Sequence, residues 1–294
     1  MFCYKNTMGW RSLISHVALG SADVPAAVAF YRDVFGFQEG EPLDGDDGRR
    51  LGHGVGHHAL ELRPGSGVQH FGMEIRGAAL VDVLAHLTDM GVPATTLCDG
   101  DGALVALSVT DPDGNAVELH GPIDRSGERG TDGGPRPQRV DHITFGSPQV
   151  EALVAFYADV LGLRVSDRMA DDFVWMRGDR HHHDVAVVRA PEPVLDHYSF
   201  EICSWANVRT WCDRFAAMGV PIAWGPGRHG PGNNVFVFVD DPDGHRVELS
   251  CEMEVFWDDH VTYGRDARVW TRDGSIGNLW GPLPTWRESV MQTA

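Results

Sequence analysis

The sequence predicts an α+β chain of four βαβββ modules, paired into two open, β-barrel-like domains. Three observations carry this expectation. Four strand-like runs each contain a histidine, an amphipathic helix follows each run, and a Gly/Pro-rich break separates the four units into two pairs.

The strand-like runs are LISHVALG, VQHFGMEI, VDHITFG and LDHYSFEI, holding His16, His70, His142 and His197. Their alternation of apolar and polar residues fits half-buried strands. The helix after each run is expected to stop at Gly36, Gly91, Gly162 or Gly219, because glycine adopts the left-handed conformation of a helix C-terminal cap. The spacing from histidine to glycine is 20, 21, 20 and 22 residues, close to a true repeat. The first helix follows Ser21–Asp23 with Pro25 near its start. The third follows Ser147, with Pro148 expected at the first helical position. Short strand runs come after each glycine, and DPDG forms the last tight turn in modules two and four.

The stretch 121–138 (GPIDRSGERGTDGGPRPQ) has no apolar period and reads as a linker. The expected organisation is therefore an N-terminal domain over 1–120 (modules one and two), a linker over 121–138, and a C-terminal metal-binding domain over 139–294 ending in a lid-like tail.

Composition narrows the function. A formal net charge of -18 argues against nucleic acid or anionic lipid as partner. No run of 18 apolar residues suggests a membrane span, and the N-terminal residues lack the apolar core of a signal peptide. Five cysteines without C-x-x-C spacing fit neither a disulfide framework nor a cysteine zinc site. A reduced, cytoplasmic protein, expected to self-associate as a homo-oligomer, is the resulting picture.

His142, His197 and Glu248 stand on equivalent strands of the C-terminal pair, so their side chains can converge. Two imidazoles and one carboxylate on one face of an octahedral ion leave open positions, which suits Fe(II); Mn(II) could occupy the same ligands. A histidine alone on a strand is usually a packed residue, but its recurrence at the same module position favours ligation.

The motifs VDHITF, RHHHDVAV, LDHYSFEI, GRH, DPDGHRVEL and LWGPLPTW resemble the type I extradiol ring-cleavage dioxygenases of the vicinal-oxygen-chelate superfamily. The likeness runs along the whole chain and is nearest to the catechol 2,3-dioxygenase and homoprotocatechuate 2,3-dioxygenase branches. It implies Fe(II) on His142, His197 and Glu248, a catechol chelating through both oxygens, and O2 as co-substrate. His182 and His183 align with the family's histidine pair, which makes His183 the acid/base and sets His182 on the substrate side. His229, in GRHG, would hydrogen-bond a substrate oxygen. Phe238 stands where the family commonly has a tyrosine, so this substrate contact has no hydroxyl. The residues before LWGP, Ser275 to Asn278, contain no arginine to read a substrate carboxylate. A substrate without an arylacetate group follows. Trp257, Trp270, Trp280 and Trp286 in the tail could cover the pocket mouth or simply pack on the domain.

The N-terminal pair carries His16, His70 and Glu118 at matching positions, with Glu61 and a His57–His58 pair nearby. His16, Glu61, His70 and Glu118 resemble the two-His, two-Glu set of glyoxalase I-like members. They could form a second metal site or be a relic of module duplication. Two other readings of the whole chain remain: a glyoxalase-like isomerase or lyase, and a non-catalytic small-molecule-binding protein of the same fold.

Overall fold

The computed structural model describes residues 9–43, 47–53, 58–123, 135–257, 266–272 and 274–286. His57 and most of the expected linker, 124–134, lie outside the described residues.

Each module has the predicted order. Module one is β1 (Arg11–Ser21), α1 (Val24–Phe35), β2 (Gln38–Pro42), β3 (Arg49–Gly52) and β4 (Leu60–Pro64). Module two is β5 (Val68–Arg76), α2 (Leu80–Asp89), β6 (Thr95–Cys98), β7 (Leu104–Thr110) and β8 (Ala116–His120). Module three is β9 (Arg139–Ser147), α3 (Val150–Leu161), β10 (Arg164–Met169), β11 (Phe173–Arg177) and β12 (Val185–Arg189). Module four is β13 (Val194–Glu201), α4 (Trp205–Met218), β14 (Ile222–Arg228), β15 (Val235–Asp240) and β16 (Arg246–Cys251). The tail adds a short strand, β17 (Arg268–Trp270), and a 3-10 turn over Gly274–Gly277. No helix among the described residues is long and apolar enough to cross a membrane.

The helix ends follow the local chemistry. Asp23 caps α1 by accepting the Ala26 N–H at 3.1 Å. Gly36, Gly162 and Gly219 cap α1, α3 and α4 at φ near 70°, and Gly91 takes the same conformation one residue beyond the cap of α2. Pro148 differs from expectation: it precedes the cap, Gln149, instead of starting α3. Ser147 Oγ accepts the Gln149 N–H at 3.0 Å, so the turn is closed before the helix begins and Pro148 belongs to the turn.

In every module the last strand lies parallel to the first, and the two modules of a half join through antiparallel pairing of their first strands. This gives open sheets of order β2-β3-β4-β1-β5-β8-β7-β6 and β14-β15-β16-β13-β9-β12-β11-β10-β17. The first strands of all four modules are thus central, which sets their histidines in the middle of each sheet.

Strand alternation separates two apolar layers in the second sheet. Ile143, Phe145, Val174, Val185, Val187, Val237 and Leu249 face the helices and join a core shared by both halves. Phe173, Trp175, Ala186 and Val188, and separately Phe236 and Phe238, belong to smaller clusters apart from that core. The residues between the core positions therefore line a hollow face.

The two halves interlock with near symmetry. Tyr31 on α1 donates to Asp241 Oδ2 at 2.6 Å and hydrogen-bonds the Tyr198 hydroxyl. Tyr157 on α3 donates to Asp111 Oδ2, also at 2.6 Å. Both aspartates open a DPDG turn and accept backbone N–H groups within it.

Candidate metal centre and its cavity

A repeated β-bulge builds the centre. The pairing of β9 with β13 skips Asp141 and Asp196, the residues immediately before His142 and His197. A bulge turns the extra side chain toward its neighbour's face. Asp141 Oδ2 accordingly lies 3.3 Å from His142 Nδ1, and Asp196 Oδ1 lies 2.5 Å from His197 Nδ1. Each Nδ1–H donates to its carboxylate, which directs both Nε2 atoms at the centre.

Those Nε2 atoms are 3.2 Å apart, and Glu248 Oε2 lies 2.9 Å from His142 Nε2 and 3.4 Å from His197 Nε2. Adjacent ligands ~2.1 Å from an ion at right angles are about 3 Å apart, so the three atoms fit one face of an octahedron. Glu248 is completely buried, and its Oε2 has no hydrogen-bond partner among the described residues. Asn234 Nδ2 instead donates to Oε1 at 3.2 Å and to Ser250 Oγ at 3.1 Å, and Ser250 donates on to Asp141. Oε2 is left for the centre.

The charges call for a cation. Burial opposes ionisation of Glu248, but the facing imidazoles of His142, His197 and His229 draw its carboxyl well below the usual range. Burial likewise opposes protonation of His142, yet Glu248 and Asp141 raise it to about 9. Three converging acceptors thus recruit one positive charge, and a divalent metal ion satisfies all three at once. The residues present fit such an ion.

A pocket opens above the centre. Its walls are largely aromatic and aliphatic, with Phe173, Trp175, Trp224, Phe238 and Ile276 beside the histidines, and among the described residues no lysine or arginine lines it. Phe238 is the direct cross-strand neighbour of Glu248 and meets the His197 ring edge-on at 5.1 Å between centroids. His183 and His229 both border the cavity. His183 lies against His142 with ring centroids 4.2 Å apart. His229 donates Nδ1–H to the Gly277 carbonyl at 2.6 Å, which directs its Nε2 toward the centre, 3.6 Å from Glu248 Oε1.

His182 is fully buried behind His183 and is not part of the cavity wall. Its Nδ1 is 2.9 Å from His183 Nδ1, and its Nε2 is 3.2 Å from Asp167 Oδ2. Burial works against an ionised Asp167, but hydrogen bonds from His182 and Arg268 more than offset it and hold the carboxyl below the usual range. With Nε2–H of His182 directed at Asp167, its Nδ1 accepts from His183 Nδ1–H. The Nε2 of His183 is then the bare nitrogen. Burial, followed by the neighbouring His142 and His182, holds His183 well below its ordinary value, so it is neutral.

The tail reaches the site through unexpected residues. Ile276 and Gly277 line the cavity, and Gly230 N–H donates to the Ile276 carbonyl at 2.7 Å. Trp286 packs edge-on against Trp224 and Trp270 Nε1 donates to Asp167, whereas Trp257 and Trp280 are largely exposed. The signals for Asp141 and Asp196 are present in the sequence as Asp-His dipeptides. Trp175 and Trp224 needed knowledge of which sheet face is hollow.

In the N-terminal half, His16 and His70 approach with Nε2 atoms 3.1 Å apart, and Glu118 Oε1 lies 3.9 Å from His16 Nε2. Glu61 is held by Arg50 and Arg63, each at 3.1 Å, and lies 3.9 Å from His70 Nε2. His58 Nε2 is 3.3 Å from Glu61.

The family model described as Glyoxalase/Bleomycin resistance protein/Dioxygenase superfamily matches residues 13–119 and 139–249. A metapyrocatechase 2 from Cupriavidus necator is 31% identical over 165 residues, 49% of this chain and 52% of that protein; the match spans about half of that relative. A metapyrocatechase from Pseudomonas sp. (strain CF600) is 25% identical across 83% of this chain and 87% of its own length. A manganese-dependent 2,3-dihydroxybiphenyl 1,2-dioxygenase from Geobacillus genomosp. 3 is 24% identical across 80% and 83%. Among solved structures, the Mn(II)-bound glyoxalase from Novosphingobium aromaticivorans superposes with a TM-score of 0.80 at 26% identity, covering 92% of this chain and 91% of that one. The homoprotocatechuate 2,3-dioxygenase from Arthrobacter globiformis gives a TM-score of 0.80 at 25% identity, covering 97% and 91%.

Proposed function

The chain belongs to the Glyoxalase/Bleomycin resistance protein/Dioxygenase superfamily, and from that premise we propose that it is a non-haem Fe(II)-dependent extradiol dioxygenase. It would open the ring of a catechol-type substrate, with both atoms of O2 entering the product. The observation that carries this reading is the buried face of His142, His197 and Glu248 at the floor of an aromatic-walled cavity, with a neutral histidine beside it. The relatives that are dioxygenases support it.

A bound Fe(II) would supply the redox chemistry that lets a catechol react with O2, and Mn(II) fits the same donors. The remaining work falls to this chain's residues. His183 takes a hydroxyl proton at its bare Nε2, because the link through His182 to Asp167 keeps the other ring nitrogen protonated. His229 presents its Nε2 to a substrate oxygen, oriented by the Gly277 carbonyl. Phe173, Trp175, Trp224 and Phe238 exclude water and give an aromatic ring flat surfaces to pack on. Phe238 supplies packing only, so orientation of the substrate oxygens rests on the two histidines. A wall with no lysine or arginine among the described residues favours catechols carrying no anionic substituent.

The test is oxygen uptake by Fe(II)-loaded protein, handled anaerobically, against a panel of catechols. Uptake with a yellow ring-opened product is expected, and Glu248→Ala should abolish it. Failure to turn over any catechol would sink the reading. The glyoxalase-like alternative on the four-residue N-terminal set is disfavoured by Glu61, whose oxygens are engaged by Arg50 and Arg63.

A further inference from the structure

The strands β1, β5 and β8 repeat the arrangement of β9, β13 and β16, and they repeat the bulges as well. The pairing of β1 with β5 skips Ser15 and Gln69, the residues before His16 and His70. Gly72 pairs with both His16 and Glu118, as Ser199 pairs with His142 and Glu248. The rings of His16 and His70 meet at 84°, against 88° for His142 and His197.

Hydrogen bonds fix which nitrogen of His16 is free. His120 Nδ1 lies 2.7 Å from the Gly121 carbonyl and must carry its proton there. Its Nε2 therefore accepts from Ser15 Oγ, also at 2.7 Å. The Ser15 hydroxyl proton being committed, its oxygen accepts from His16 Nδ1, 3.1 Å away. The Nε2 of His16, on a side chain 2% exposed, is thus a lone pair aimed at His70 and Glu118. Room for the ring is equally specific. A Cβ on residue 72 would lie 2.0 Å from His16 Cε1, so only glycine there admits the imidazole.

From this geometry we infer that the N-terminal half holds a second, weaker site for a divalent first-row transition metal on His16, His70 and Glu118. Imidazole and carboxylate donors suit such ions. The part-exposed Glu118 carboxylate lies 3.9 Å from His16, and the three donor atoms all lie within 4.8 Å of one another. Glu61 is not a ligand here, because Arg50 and Arg63 hold it.

The weaker affinity has two causes. Ser15 and Gln69 replace the carboxylates Asp141 and Asp196 behind the histidines, and Gln69 turns away to the Ser66 carbonyl. Losing such supporting partners lowers metal affinity on the order of 10–100-fold. Arg50 and Arg63 add positive charge beside the cation.

The experiment is equilibrium dialysis of metal-stripped protein against Co(II), with elemental counting. Two equivalents are expected in the unaltered chain, the second lost at tenfold or more lower chelator concentration than the first. His16→Ala/His70→Ala and Glu248→Ala should each bind one, and Ser15→Ala should weaken only the second. Ring-opening activity, where present, should survive His16→Ala/His70→Ala. Should that double variant not fold, Glu118→Gln with an unchanged melting temperature must lose the second equivalent. Saturation at one equivalent that disappears in Glu248→Ala overturns the inference. So does a second equivalent that survives His16→Ala/His70→Ala, as a cation on Asp241, Asp243 and His245 would.

Discussion

The two halves of the molecule carry the same three ligand types on the same three strands, yet they offer a metal ion different environments. In the C-terminal half, bulged Asp141 and Asp196 place a carboxylate behind each histidine, and Glu248 is sealed under aromatic walls. In the N-terminal half the same bulges carry Ser15 and Gln69, Glu118 is part-exposed, and two arginines lie nearby. The cross-strand neighbour of the glutamate is Phe238 in one half and Ser108 in the other. Ligand identity therefore sets what can bind. The neighbours set how tightly, and whether a dry cavity exists in which a bound substrate can react.

The largest expected effect separates the halves outright. Glu248→Ala should lower the ring-opening rate on the order of 10³-fold or more, because it removes a ligand and leaves two buried imidazoles without their carboxylate. Glu118→Ala should leave that rate within about twofold, since it lies in the other half. Steady-state oxygen uptake measures both. Equal losses in the two variants would mean that the halves share one function and would break the comparison.

Next in size is the proton path of the C-terminal half. His183→Gln should cost about 10²-fold in kcat or more. Asp167→Asn should cost roughly tenfold in kcat with KM nearly unchanged, because it frees His182 to adopt the other tautomer and so returns a proton to the reactive nitrogen of His183. Asp167 also holds Arg268 and Trp270. Trp270→Phe removes the tail bond while sparing His182 and should leave kcat in place. A loss in Trp270→Phe matching that of Asp167→Asn would assign Asp167 to tail anchoring instead.

Much of this was legible in the chain itself, where the constraint is local. The four modules, the capping glycines and the histidine positions follow from spacing, because a strand–helix–glycine unit must recur at fixed length. The Asp-His dipeptides also carried the orienting carboxylates, but nothing local announces that a bulge puts adjacent side chains on one face. The pairing of Asp167 with His182 depends on how β10 and the segment before β12 meet in space, so it was hidden. His182 reads as a substrate contact from its place beside His183 and proves to lie behind it. Ile276 and Gly277 enter the cavity only because the tail folds back to pair with His229 and Gly230. Arg50 likewise reaches Glu61 from β3, a strand whose register the sequence does not specify.

The smallest expected effect concerns how the halves hold each other. Tyr31 and Tyr157 are buried counterparts, each crossing to an aspartate of the opposite half. Their surroundings differ. Asp111 Oδ2 also receives Asn115 Nδ2 at 2.8 Å, so Tyr157→Phe removes one bond and leaves the carboxylate satisfied. Asp241 retains His245 after Tyr31→Phe, but the buried hydroxyl of Tyr198 loses its partner. Losing a bond to a charged group costs about 1.5 kcal/mol, and stranding a buried hydroxyl adds about 1 kcal/mol more. Tyr31→Phe should therefore lower the unfolding free energy by about 1 kcal/mol more than Tyr157→Phe in urea denaturation with unchanged m-values. Equal losses would mean that Tyr198 finds Asp241 directly, and that the near-symmetry of the interlock extends to its energetics.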